Sequence, residues 1–409
     1  MPVPLRVCGG SVHEQARKET FDGASQTVYD RPMIYLDYAA HTPTDEAVLE
    51  AFSQASRDYF ANPNSPYPPG QVAKARLDEA TRHIAMLLQV KETEIIHTSG
   101  ASESNNLAIK GIAEKYKKYG RHIITTPLEH SSVNGPMAYL QQQGYEIEYT
   151  DLTPDGTIDL AHLKTLLRDD TILVSVCWVD SEIGLMQPIT QIAALLADRP
   201  HCFFHTDATQ AVGKIPVSFE EVDLVSFAPH KFFGPCGCGV LVRREAVMLE
   251  PQIHGGVSTT PFRSGTPALA LAVAAEKALA AATEDLDTRY PVVEALNRKL
   301  REGLTGISGI RVNSTVASVP HIVNISIPGI RTEAVQAELA KHEIYVATKS
   351  ACCAPGTVSR PVYALTRDRK AALSTLRISL SHLTAEGDID VFLERLEESL
   401  RIIKNRGTL

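Results

Sequence analysis

At 409 residues, 44% hydrophobic and 22% charged, the chain is long enough for a large core plus a second domain. A formal net charge of −8 gives no support to direct nucleic-acid binding. Seven cysteines without regular spacing, and no secretory leader, point to a reducing, cytoplasmic compartment.

Residues 1–32 mix acidic and basic side chains and lack the apolar centre of a signal peptide, so they read as a disordered extension. Glu14, Glu19, Asp22 and Asp30 disfavour an organelle-targeting segment. Glu94-Ile-Ile-His-Thr-Ser99-Gly-Ala-Ser102 and the polar residues after it read as strand, small-residue turn and helix. Such a turn offers free N–H groups beside the Ser99 and Ser102 hydroxyls, which suits a phosphate; a plain capping turn fits nearly as well. Arg121–Thr126, Tyr145–Thr150, Thr171–Val179 and Cys202–Thr206 read as strands, with helices after Ser131, Leu160 and Ile189. That alternation predicts a largely parallel sheet.

Asp207 closes one buried strand at its carboxyl end, where open α/β sheets place their ligands. It can pair with a protonated ring nitrogen, and Gln210 about one turn on can donate to a phenolic oxygen; taken alone, Asp207 is a helix cap. Val222-Asp-Leu-Val-Ser-Phe-Ala-Pro-His230-Lys231 runs from apolar strand into a Pro/Gly-rich loop. A desolvated lysine there can form a Schiff base, although a lysine at a strand end is usually a solvated charge. Cys236-Gly-Cys238 is too close for an ordinary zinc pair and reads as loop and strand packing, so no metal is expected.

Ala268–Thr283 is the longest apolar run, but Glu276 and Lys277 interrupt it, so it reads as a helix and no membrane span is expected. Polar Thr283–Thr288 marks the passage to a helix-rich return. His321–Ile327, Ile344–Thr348 and Thr375–Leu380 look like strands of a smaller α/β domain, closed by a helix from Ala385 to about Ile403. The division expected is 33–286 and 287–409.

From Tyr35-Leu-Asp-Tyr-Ala-Ala to about Ile403 the chain closely resembles the cysteine desulfurases of the NifS/IscS type, in the class V aminotransferase group of pyridoxal-phosphate enzymes. The matching segments YLDYAAHTP, ANPNSPY, SGASESNNLAIKG, EHSSV, EIG, DATQAVGK, SFAPHKFFGP, HGG, RSGT, KSACCAPG and RISL occur in the family's order. The resemblance implies the fold type I transferase fold, with a mostly parallel seven-stranded sheet in a large domain and a smaller C-terminal α/β domain. It implies pyridoxal 5'-phosphate as cofactor, L-cysteine as substrate, a homodimer, and sulfur-acceptor or scaffold proteins as partners.

Residue roles follow from the same resemblance. Lys231 would bind the cofactor aldehyde, Asp207 would face the pyridine nitrogen, and Gln210 would contact the ring oxygen. His130 would stack on the ring and move protons. Ala101, Ser102 and His230 would cup the phosphate, with Thr266 supplied by the partner subunit. Arg377 would grip the substrate carboxylate, for which a planar bidentate donor is better suited than lysine. Cys352, in Ser350-Ala-Cys-Cys-Ala-Pro-Gly-Thr, matches the nucleophile that takes the sulfur as a persulfide. The long stretch from Cys352 to Arg377 is similar to the branch that hands sulfur to scaffold and carrier proteins, for iron–sulfur cluster assembly or tRNA thiolation.

Some positions depart from the family pattern. Ser181 stands where an asparagine usually touches substrate and cofactor, and a hydroxyl cannot reproduce an amide's paired donor and acceptor. Ala228 replaces a phosphate-binding hydroxyl residue, Lys349 a glycine, and His41 a threonine. Selenocysteine lyase remains a close alternative, and a β-lyase or aminotransferase on the same fold a second.

Overall fold

The structure, a computed structural model, describes residues 33–349 and 356–406. Strand β1 (Ile34–Tyr35) opens the described chain. Strands β2 (Ile95–Thr98), β3 (His122–Thr125), β4 (Glu146–Tyr149), β5 (Thr171–Ser175), β6 (Phe203–Asp207), β7 (Leu224–Phe227) and β8 (Gly239–Arg243) build a seven-stranded sheet ordered β2-β8-β7-β6-β5-β3-β4. Pairs β4–β3, β3–β5, β5–β6 and β6–β7 are parallel, and β8 alone runs antiparallel to both neighbours. Every residue of β5, β6 and β7 is buried, the pattern of strands covered on both faces by helices.

The six strands β2 to β7 fall where the sequence predicts them, each within a few residues; β5 stops at Ser175 rather than Val179. Beyond Ser175 the chain keeps only its β6 side, where the Val176 and Trp178 N–H groups donate to the His205 and Asp207 carbonyls, while the Cys177 N–H turns to the Glu129 carboxylate. One face of the sheet packs on Phe204, Val225, Phe227, Phe232 and the alanine-rich Leu269–Glu284 helix. The other packs on Ile109, Ile112, Met137 and Leu140 from the helices Ala101–Tyr116 and Ser131–Gln142.

A second, antiparallel sheet is ordered β12-β10-β9, from β9 (Arg311–Val312), β10 (Ile322–Ser326) and β12 (Thr375–Ser379). Helices Leu286–Thr305 and Glu386–Asn405 cover it with Val293, Leu300, Phe392, Leu396 and Leu400, a stripe at helical spacing. The expected strand after Ile344 shrinks to β11 (Ile344–Tyr345) and pairs with β1 in its own two-stranded sheet. At the polar stretch after Thr283 one helix ends at Glu284, the next begins at Leu286, and Arg289 bridges back to Asp285 at 2.6 Å. Ion-pair spacing of four residues lets helix continue through these polar side chains.

Candidate active site

Because β2, β3, β5, β6 and β7 are mutually aligned, their carboxyl ends share one edge of the sheet. The residues that follow them, Ser99 to Glu103, His130, Ser181, Asp207 and Lys231, line a single cleft of about 400 Å³. Ala39, Ala40, Gln210, His230 and Arg377 complete it, so most of the predicted site residues meet there. Thr266 does not: it borders a separate cavity of about 120 Å³ with His97, Ser99 and Arg263. Cys352 lies outside the described residues.

Lys231 ends a 3-10 turn, Pro229–Lys231, that follows β7 directly. Its Nζ donates to the carbonyls of Ala39 (3.1 Å) and Ala40 (2.6 Å), which hold the amine inside the cleft. Asp207 is buried at the end of β6. Its Oδ1 accepts from the Thr209 N–H at 3.0 Å, the local turn contact anticipated for a cap, while Oδ2 accepts from Asn105 Nδ2 at 2.8 Å. The same Asn105 amide donates to Ser132 Oγ (2.9 Å), and Ser132 Oγ meets His130 Nδ1 (2.8 Å), so one polar chain links the carboxylate to the imidazole.

His130 caps the Ser131–Gln142 helix, with the Ser132 N–H donating to Nδ1 at 3.2 Å. A backbone N–H can only donate, so Nδ1 accepts and the neutral ring carries its proton on Nε2. Burial holds this imidazole below the ordinary histidine range, with Asp207 pulling the other way. His230 is pushed down to about 4 by burial and then by the Lys231 charge. Both rings are therefore neutral at pH 7.

Gln210 is placed beside the cleft, but its Nε2 donates to the Ala39 carbonyl at 2.9 Å and its Oε1 accepts from Lys214 Nζ at 2.6 Å. Lys214 is itself buried, and burial lowers its amine well below the lysine range. Arg377, in β12, is the largest fully buried side chain among the described residues and enters the cleft from the second sheet. It donates to the Ser181 carbonyl at 2.8 Å and to Asp37 Oδ1 at 2.7 Å. Ala228 is fully buried at the start of the lysine turn, and Lys349 Nζ donates to the Thr357 carbonyl at 2.7 Å.

Sequence reasoning missed Asn105, Ser132, Asp37, Lys214 and Glu129. Asn105 lies four residues after Ala101 on one helix, so one face carries both, and that spacing was the available signal for it. Glu129 had none: it is buried behind His130, where its Oε1 accepts from Thr126 Oγ1 and the Cys177 N–H, both at 2.8 Å. Burial pushes its carboxyl up to about 8. A folded-state value above the unfolded one means that this group's contribution is complete below the ordinary glutamate range and is lost as pH rises through about 8. Wild-type protein is accordingly expected to lose denaturant stability as pH rises from about 5 to about 8 and to level off above that, and Glu129→Gln to lose less over the same window. Parallel losses in both chains would remove Glu129 as the cause.

A family model described as aminotransferase class-V matches residues 34–392. The chain belongs to that family. It is similar to the cysteine desulfurase IscS of Vibrio campbellii, with 37% identity over 92% of this chain and 95% of that one. Among solved structures, a NifS-like protein covers 91% of this chain and all of its own, with a TM-score of 0.85 and 35% identity. SspA, solved in complex with cysteine, covers 86% of this chain with a TM-score of 0.75 and 29% identity.

Membership of the class-V aminotransferases implies pyridoxal phosphate, and the residues present fit that group. A cation at Lys231, a carboxylate at Asp207 and the N-terminus of the 16-residue Ala101–Tyr116 helix converge on one cleft. Two buried polar atoms of residues lining it, Thr209 Oγ1 and Arg377 Nε, have no hydrogen-bond partner. Groups so placed are stabilised by a polar, anionic occupant. No helix among the described residues is long and apolar enough to cross a membrane.

Proposed function

We propose that this cysteine desulfurase acts on L-cysteine through pyridoxal phosphate held by Lys231, with Cys352 receiving the sulfur. The single observation carrying the reading is the convergence of Lys231, Asp207, His130 and Arg377 on one cleft from three separate strand ends and the second sheet. Bound pyridoxal phosphate supplies an electron sink for the pair left when the substrate Cα–H bond breaks. Asp207 holds a proton on the ring nitrogen, and the Asn105–Ser132 chain keeps that carboxylate and His130 in fixed orientations. Ala101, Ser102 and His230 hold the phosphate, and Gln210 faces the ring oxygen.

Arg377 binds the substrate carboxylate, while Lys231 Nζ moves the Cα proton. Cys352 Sγ attacks the substrate sulfur; an S–S bond forms as the Cβ–S bond breaks, and protonation at Cβ followed by return of a proton to Cα yields alanine. Ser181, shorter than an amide, presents its carbonyl to Arg377 and thus contributes through that contact. Thr266 serves the partner's cleft in a homodimer, consistent with its place outside its own. The chain divides near Asp285 into a large part, 33–286, and a smaller one, 287–409, that brings Arg377 and Cys352 to the cleft. The persulfide passes to acceptor proteins in the cytoplasm, for cluster assembly or tRNA thiolation.

The test is alanine and sulfide release from L-cysteine with pyridoxal phosphate and dithiothreitol, beside Cys352→Ala. Equal amounts of the two products, lost in the variant, are expected. Pyruvate and ammonia would instead assign a β-lyase, and a preference for selenocysteine with loss of activity on cysteine a selenocysteine lyase.

A further inference from the structure

Cys236 and His41 form a thiol–imidazole pair beside the cleft. His41 Nε2 lies 2.9 Å from Cys236 Sγ, while His41 Nδ1 lies 2.6 Å from the Thr42 carbonyl oxygen. A carbonyl only accepts, so the Nδ1 proton points to Thr42 and Nε2 is left with a lone pair directed at the thiol. Nucleophile, base and a group orienting the base are thus in line, the arrangement by which thiols are activated elsewhere.

The orienting group is itself rigid. Thr42 N–H and Oγ1 both donate to the His230 carbonyl, at 3.1 and 3.0 Å, and the Phe233 N–H donates to Thr42 Oγ1 at 2.7 Å. Tyr35 Oη donates to the His41 carbonyl at 3.0 Å. These bonds tie His41 to the Lys231 turn, and its ring centre lies 5.5 Å from that of His230, a residue lining the cleft. The neighbouring thiol shows the contrast. Cys238 is buried, donates to the Pro235 carbonyl and is pushed up to about 12 by burial, whereas Cys236 is exposed. The expectation that both cysteines serve packing therefore holds for Cys238 alone.

We propose that Cys236, with His41 as its base, is a second sulfur-carrying thiol that accepts the outer sulfur of a persulfide. The inference rests on the desulfurase reading for the supply of that sulfur. His41 Nε2 takes the Cys236 proton; Cys236 Sγ attacks the outer sulfur, forming one S–S bond as the donor's S–S bond breaks. The donor thiolate leaves and takes the proton from His41. One persulfide is exchanged for another, so no oxidant or reductant is required.

Two sources supply this chemistry, the protein's own Cys352 persulfide and a diffusible low-molecular-weight persulfide. In one arm, the cofactor-loaded full chain is given L-cysteine without reductant, and persulfides are trapped by alkylation and mapped by mass spectrometry. In the other, Cys352→Ala is given glutathione persulfide and no cysteine. Persulfide on Cys236 in the first arm assigns the internal source, and in the second the diffusible one. In whichever arm loads, His41→Ala is expected to slow loading by about tenfold or more. His41 is exposed, so its loss leaves the core intact. Cys236→Ser is expected to leave alanine formation with dithiothreitol unchanged. Absence of Cys236 persulfide from both arms, or equal loading in His41→Ala, overturns the proposal. If no alanine forms in the first arm, the desulfurase reading fails, and the glutathione arm still decides the role of Cys236.

Discussion

Lys231→Ala is expected to lower alanine release from L-cysteine by roughly 10³-fold or more, since in the proposed reading the substitution removes both the covalent anchor and a positioned proton carrier. The fold has little reason to fail. The lysine turn is held by backbone contacts, Phe232 N–H to the Pro229 carbonyl at 2.9 Å and Lys231 N–H to the Ala228 carbonyl at 3.2 Å, neither of which uses the amine. Far-ultraviolet circular dichroism and the melting temperature should therefore change little, while the visible absorption of bound cofactor changes. Lys231→Arg should be equally inactive, because a guanidinium stays charged and cannot act as a nucleophile. Small primary amines added to Lys231→Ala should restore part of the rate, which a purely structural role would not permit. Alanine release near the wild-type rate in either variant would overturn the assignment of Lys231.

The second large effect concerns Arg377. Its guanidinium bridges Asp37 at 2.7 Å and the Ser181 carbonyl at 2.8 Å, with side-chain exposures of 2% for Arg377 and 22% for Asp37. Arg377→Leu leaves the Asp37 carboxylate without its partner, and breaking a buried pair from one side costs roughly 3–5 kcal/mol. The partial exposure of Asp37 places the expected loss at the low end of that range. Arg377→Lys retains charge but cannot serve two acceptors in one plane and a substrate carboxylate as well. It should raise KM for L-cysteine by more than tenfold, with a smaller change in kcat. Adding Asp37→Asn to Arg377→Leu should recover part of the lost stability and none of the activity. A double variant no more stable than Arg377→Leu would show that the pair does not carry the stability. An unchanged KM in Arg377→Lys would remove Arg377 from substrate binding.

Much of the sheet was legible because strands buried on both faces carry apolar runs: β5 and β7 are mostly apolar, and β6 opens on Phe203-Phe204 before turning polar at His205, Thr206 and Asp207. Strand ends were less so. β5 ends early because a buried carboxylate, Glu129, claims the Cys177 N–H from 48 residues away, and nothing near Cys177 announces it. The pairing of β11 with β1 joins segments more than 300 residues apart, a contact that no local period records.

The site divides in the same way. The residue types and order that resemble a family placed Lys231, Asp207, His130 and Arg377 in the cleft, since chemistry restricts which side chains can do each task. The polar chain from Asp207 through Asn105 and Ser132 to His130 was invisible, because each link is an ordinary polar residue until the fold sets them 2.8–2.9 Å apart. Cys236 shows the limit most plainly. Read along the chain it is one of two cysteines around a glycine; only the close approach of His41, 195 positions away, distinguishes a thiol that faces an imidazole from a packed one. By itself the sequence determined the fold class and the main chemical groups, because apolar period and residue chemistry are local properties. Tertiary structure decided which polar groups touch, because hydrogen-bond distance depends on where the whole backbone has gone.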